Sequence, residues 1–138
     1  MPNPMFGRIL TAADDAWLER LVALPGLERA LFAALVGRFD AAAADGFEGR
    51  VVYELTRPAT GAHSTRWTVQ VIDGRAILRA ADSGAAAVRL RIPVADFARV
   101  AAGALDPADP LLKGRAHLEG DLALAARLPE MFRAPRLQ

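Results

Sequence analysis

An α+β fold with a mainly antiparallel sheet is what the sequence predicts, and three observations predict it. Apolar residues recur at helical spacing as far as Phe39, the period drops from 3.6 to 2 at Gly49, and Asp73-Gly74 places a hairpin signal between two alternating segments. With 138 residues, 53% of them hydrophobic and 24% charged, the chain reads as one folded unit with an ordered core.

Two helices open the chain. Thr11 is placed to cap the first, with Asp14 and Asp15 in its first turn; Trp17, Leu21 and Leu24 form its apolar stripe, and Pro25-Gly26 ends it. In the second, Leu27, Leu31, Leu35 and Phe39 fall on successive fourth positions, Phe32 and Val36 add another stripe, and Asp45-Gly46 is its stop. So wide an apolar surface either wedges between layers or meets a protein partner.

Strands follow from Gly49. Val51, Tyr53 and Leu55 share a face of the first, and Arg57 to Ala62 is rich in turn residues. Arg66 to Ile72 is the clearest strand, with Trp67, Val69 and Val71 alternating against Arg66, Thr68 and Gln70. Arg75 to Ala80 returns antiparallel, placing Ala76, Leu78 and Ala80 inward. Ser83-Gly84 turns the chain into a fourth strand, where Val88, Leu90 and Ile92 alternate with Arg89 and Arg91.

Pro93 opens a short helix carrying Asp96, Phe97 and Val100, and Gly103 stops it. Leu111 and Leu112 lie in a loop. A fifth strand, Arg115 to Glu119, turns Ala116 and Leu118 inward, and Gly120-Asp121 caps a final helix with the stripe Leu124, Leu128, Met131 and Phe132. Pro129 removes a backbone donor there and predicts a kink.

The composition excludes several function classes. Seventeen basic and 16 acidic residues leave a formal charge of +1, so no concentrated field attracts nucleic acid. Zero cysteines remove disulfides, thiolate catalysis and thiolate metal sites. No apolar run approaches the roughly 20 residues that cross a bilayer, and no secretory signal is evident, which makes the cytoplasm the expected location. His63 and His117 are the two histidines, read as a loop residue and a strand residue on the polar face; no metal site and no cofactor is expected. The H-x-E of His117-Leu118-Glu119 lacks the P-C-x-x-C that a zinc deaminase needs. Ser64 and Ser83 stand outside any G-x-S-x-G turn, and no phosphate-binding loop is present. No catalytic residue emerges.

Phe47-Glu48-Gly49-Arg50, the Trp67 strand with its Asp73-Gly74 turn, the Ile92 to Gly103 strand and helix, and above all Lys113-Gly114-Arg115-Ala116-His117-Leu118-Glu119-Gly120-Asp121 with Leu124-Ala125 and Leu128, resemble the sterol carrier protein type 2 family. The resemblance implies a five-stranded sheet covered by helices around an apolar tunnel for fatty acids, fatty acyl-coenzyme A, sterols or other lipids, without catalysis. It divides the chain into a helical segment over 1–46, a lipid-binding domain over 47–132 and a tail over 133–138. Where such proteins commonly carry Ser or Thr, Pro93-Val94 starts the helix after the fourth strand.

The candidate lining is Trp67, Val69, Leu78, Leu90, Phe97, Leu111, Leu112, Leu124, Leu128, Met131 and Phe132. The expected partner is a lipid or other apolar small molecule. Similar domains also act as accessory proteins in quinone biosynthesis or as appended domains of larger enzymes, and for that scaffold role the helix from Leu27 to Phe39 is the candidate protein contact.

Overall fold

The computed structural model describes residues 14–80 and 84–133. Its elements run α1 (Asp15–Val22), α2 (Leu27–Gly37), α3 (Ala41–Ala44), β1 (Gly49–Arg57), β2 (Ala62–Ile72), β3 (Arg75–Ala80), β4 (Val88–Pro93), α4 (Val94–Ala101), α5 (Ala108–Leu112), β5 (His117–Gly120) and α6 (Leu122–Met131). The five strands form one sheet in the order β3-β2-β1-β4-β5. Three of its pairings are antiparallel; β1 and β4 run parallel, with Val51 opposite Val88 and Leu55 opposite Ile92.

The hairpin signal works as its chemistry requires. Asp73 and Gly74 both hold positive φ, at 52° and 70°, the backbone of a type I′ turn, so Ile72 pairs with Arg75. Register then fixes the faces. Val51, Tyr53 and Leu55 align with Val69, Trp67 and Thr65 on one side and with Val88, Leu90 and Ile92 on the other. This inner face packs against α2, α4 and α6, while α1 lies farther out with Leu18 against Ala95 of α4.

Several expectations change on folding. Thr11 lies outside the described residues; Asp14, rather than sitting in the first turn, caps α1 by accepting from the Ala16 N–H at 2.7 Å. The buried side of α1 is Leu18, Glu19 and Val22, whereas Trp17 and Leu24 are exposed, because both i,i+4 phases are apolar and the contact with α4 selects one. The second helix ends at Gly37, and Asp45-Gly46 closes the separate turn α3, which Asp40 caps. The Asp40 N–H is held at 2.8 Å by the Met131 carbonyl, so the end of α6 breaks the helix there.

Strand β2 starts at Ala62, which moves His63 from loop to strand. Thr68 occupies the outer face but is fully buried: alternation assigns a face and not a depth, and this position lies between Val52 and Arg79 on a central strand. Ala80, on the inward register, is exposed at the end of β3. Strand β5 starts at His117, two residues later than expected, because the N–H groups of Arg115 and Ala116 both bond to the Pro110 carbonyl. Leu111 and Leu112 belong to the short helix α5, not a loop. Ser83 is outside the described residues. Helix α6 runs through Pro129 to Met131.

Candidate ligand-binding site

Four aromatic rings gather on the inner face, one each from α2, β1, β2 and α4. Phe32 stacks on Phe97 at 4.7 Å and on Trp67 at 5.4 Å and meets Tyr53 edge-on at 5.3 Å; Tyr53 in turn meets Phe97 at 5.8 Å. These offset and edge-to-face geometries align ring edges with ring faces. Arg29 caps the outer side of Trp67 with its guanidinium 5.2 Å from the ring. A second aromatic pair, Phe39 with Phe132 at 5.3 Å, joins the approach to α3 to the end of α6.

Polar groups fix the rim of this layer. Glu28 of α2 accepts from Trp67 Nε1 at 2.8 Å and from Thr65 Oγ1 at 2.5 Å, and pairs with Arg57 at 2.5 Å. Arg57 Nη1 also donates to the carbonyls of Leu55 and His63 and to Thr65 Oγ1. Glu19 of α1, itself buried, accepts from the Ala59 and Thr60 N–H groups and the Thr60 hydroxyl at 2.8–2.9 Å, so it clasps the β1–β2 turn. Asp96 of α4, also buried, takes a bidentate bond from Arg115 at 3.0 and 3.2 Å. The hydrogen bonds that Arg115 donates to Asp96 and Asp109 hold its pKa above the ordinary value, and Lys113 with Arg115 holds that of Asp109 below. Burial pushes the Tyr53 hydroxyl pKa upward.

Of the eleven lining candidates, Val69, Phe97, Leu124, Leu128, Met131 and Phe132 are buried in one cluster, with Trp67, Leu78 and Leu90 packed partly buried against it. Leu111 and Leu112 stand apart, 36% and 84% exposed on α5. Sequence reasoning left out Phe32, at the centre of the ring stack, although it had placed it on a second stripe of α2. It also left out Glu28, Glu19 and Asp96, which on sequence alone are like any surface carboxylate. Two recesses open elsewhere, at polar surfaces. One of about 740 Å³ lies at the ends of β1 and β4, and one of about 620 Å³ lies on the outer face around Glu54, Arg66 and Arg91. Among the described residues, no group of three or more His, Asp or Glu is placed to hold a metal ion.

A family model described as the SCP-2 sterol transfer family matches residues 32–133, from the centre of the ring stack to the end of α6. The chain belongs to the SCP-2 sterol transfer family. Solved structures share the fold. Sterol Carrier Protein 2 Like 2 from Aedes aegypti aligns with a TM-score of 0.59 and 22% identity over 80% of this chain and 96% of that one. The palmitated form of the Aedes aegypti protein aligns at 0.56 and 20%, over 75% and 95%. The stereoselective inverting sec-alkylsulfatase Pisa1 from a Pseudomonas species aligns at 0.59 and 16% over 75% of this chain, which spans only 16% of the sulfatase. The same fold therefore makes up nearly the whole of the Aedes aegypti chain and a small part of the sulfatase. No curated protein matches this sequence. No described helix of this SCP-2 domain is long and apolar enough to cross a membrane.

Proposed function

We propose that this SCP-2 domain binds a hydrophobic ligand, an acyl chain or sterol, between the inner sheet face and its helices, for carriage and without catalysis. One observation carries the reading. Leu78, Trp67, Leu90 and Leu118, on four different strands, all point to the helix-covered face yet stay only partly buried, while Val51, Val69 and Val88 beside them are sealed. The helix layer thus leaves these four apolar side chains incompletely covered. Each methylene taken from water there stabilises a complex by roughly 0.8 kcal/mol, enough for a long chain to bind on shape and area alone. The palmitated relative supports an acyl chain as the first ligand to test.

Delipidated protein is expected to bind a fluorescent fatty-acid analogue. Leu128→Arg and Phe132→Asp place a charge beside buried Met131 and are expected to weaken binding about tenfold or more, through desolvation of that charge. Arg75→Ala, on the exposed hairpin, is the control and is expected to leave binding unchanged. Thermal midpoints and the milder Leu128→Ala, expected to cost about 2–5 kcal/mol of stability, separate lost affinity from lost folding. If folded wild-type protein takes up no acyl, sterol or isoprenoid probe, the carrier reading fails and the scaffold role remains.

A further inference from the structure

The recess of about 740 Å³ at the ends of β1 and β4 collects groups that the lipid-binding reading does not use. Its lining includes both histidines of the chain, His63 and His117, which are 54 positions apart in sequence, together with Ser64, Arg91 and Arg115. These are donors from three strands and the segment before β5. The acidic side chain on this lining is that of Asp15, already held by Arg99 at 2.7 Å.

Each of the two arginines is braced so that it keeps a free edge. Glu54 engages Arg91 through Nε, at 3.2 Å, and among the described residues its two terminal amino groups have no partner. Arg115 donates through Nε and Nη2 to Asp96 and through Nη2 to Asp109, which leaves Nη1. Carboxylates behind and unspent N–H groups in front orient a guanidinium toward an anion while limiting the rotamer freedom it loses on binding. Both side chains remain accessible, Arg91 at 64% and Arg115 at 39%. Buried Arg57, by contrast, spends its Nη groups on Glu28, Thr65 and two carbonyls, so it shapes the wall.

We propose that this recess is a phosphate-binding site, with Arg91 and Arg115 as charged donors and His63, His117 and Ser64 completing the shell. Donors converging from several directions outnumber what the two oxygens of a carboxylate use and suit the tetrahedral oxygens of a phosphate group. The phosphate is either that of a soluble molecule or that of a lipid headgroup.

The test titrates isotope-labelled protein with inorganic phosphate and follows the ring C–H signals of the two histidines by NMR. Expected are saturable shifts of both rings, with affinity reduced about tenfold by Arg91→Gln and by His117→Gln and unchanged by Arg75→Gln, the loss of a charge-assisted hydrogen bond being of that size. Both test positions are solvent-accessible, so folding is not at stake. Co-sedimentation with phosphatidylcholine vesicles, with and without phosphatidic acid, identifies the source. Binding to phosphatidic acid that Arg91→Gln abolishes assigns a headgroup, and phosphate binding without vesicle binding assigns a soluble phosphorylated molecule. Non-saturating shifts, or equal weakening by Arg91→Gln and Arg75→Gln, mean an adventitious ion only and overturn the proposal. Inorganic phosphate carries no apolar group, so this outcome is independent of whether the inner face binds lipid.

Discussion

Tyr53 is the single tyrosine, and it is buried in the ring stack. Burial disfavours the phenolate, so its folded-state pKa lies above the roughly 10 of an unfolded chain. A raised pKa means stability that is complete below pH about 10 and is lost as pH rises past it, by up to about 1.4 kcal/mol per pH unit, since the unfolded state then releases a proton that the native state keeps. Tyr53→Phe removes that loss. Denaturation between pH 9 and 11 is expected to show a shallower decline for the variant, and native wild-type protein should show no tyrosinate absorbance at pH values where a free tyrosine ionises. Glu28 makes a second residue-scale case, because it satisfies Arg57, Thr65 and Trp67 together. Glu28→Ala leaves the buried guanidinium without its counter-charge and is expected to cost about 3–5 kcal/mol in a urea titration, where an exposed ion pair would cost under about 1.

At the scale of elements, the passage from β5 into α6 depends on Gly120. Its φ is 106°, and a Cβ there would lie 2.3 Å from the Ala87 carbonyl oxygen, on the strand-leading segment that the Asp121 N–H also bonds. The atoms it would meet are backbone of Ala87 and Val88, with no flexible side chain to move aside. Gly120→Ala is therefore expected to separate β5 from β4 and to destabilise far more than the roughly 1 kcal/mol of an ordinary backbone substitution, as hydrogen exchange at Leu118 and Leu90 would register. Asp121 adds the cap of α6 by accepting from the Leu124 N–H at 3.0 Å. That junction was legible in the sequence, since G-D before an apolar stripe states its own chemistry. The break between α2 and α3 was not, because nothing between Gly37 and Asp40 announces the Met131 carbonyl that takes the Asp40 N–H.

For the molecule as a whole, the helices before β1 are tied into the same core as the sheet. Phe32 of α2 is the hub of the ring stack, Leu18 of α1 packs on α4, and Glu19 clasps the β1–β2 turn. One cooperative transition is expected. Trp17 on α1 and Trp67 on β2 report on the two parts, so the fluorescence of Trp17→Phe and of Trp67→Phe, each compared with the far-ultraviolet circular dichroism of the same variant, should give coincident denaturation curves. An earlier transition for the Trp17 reporter would show that α1 melts off a domain that survives it.

The sequence by itself determined the class of fold, the faces of β1, β2 and β4, the β2–β3 turn and the stripe of α6. Each of these follows from local rules, a period of two or 3.6 and the φ that a turn residue tolerates, which act over a few neighbours. Tertiary structure alone decided the parallel pairing of β1 with β4 and which of two apolar stripes α1 buries. It also decided the depth of Thr68, the exposure of Leu112 and the meeting of His63 with His117 at one recess. Those are contacts between residues far apart in the chain. Burial and pairing depend on what arrives from elsewhere, and an arginine, a carboxylate or a leucine carries no local mark of the partner it will meet.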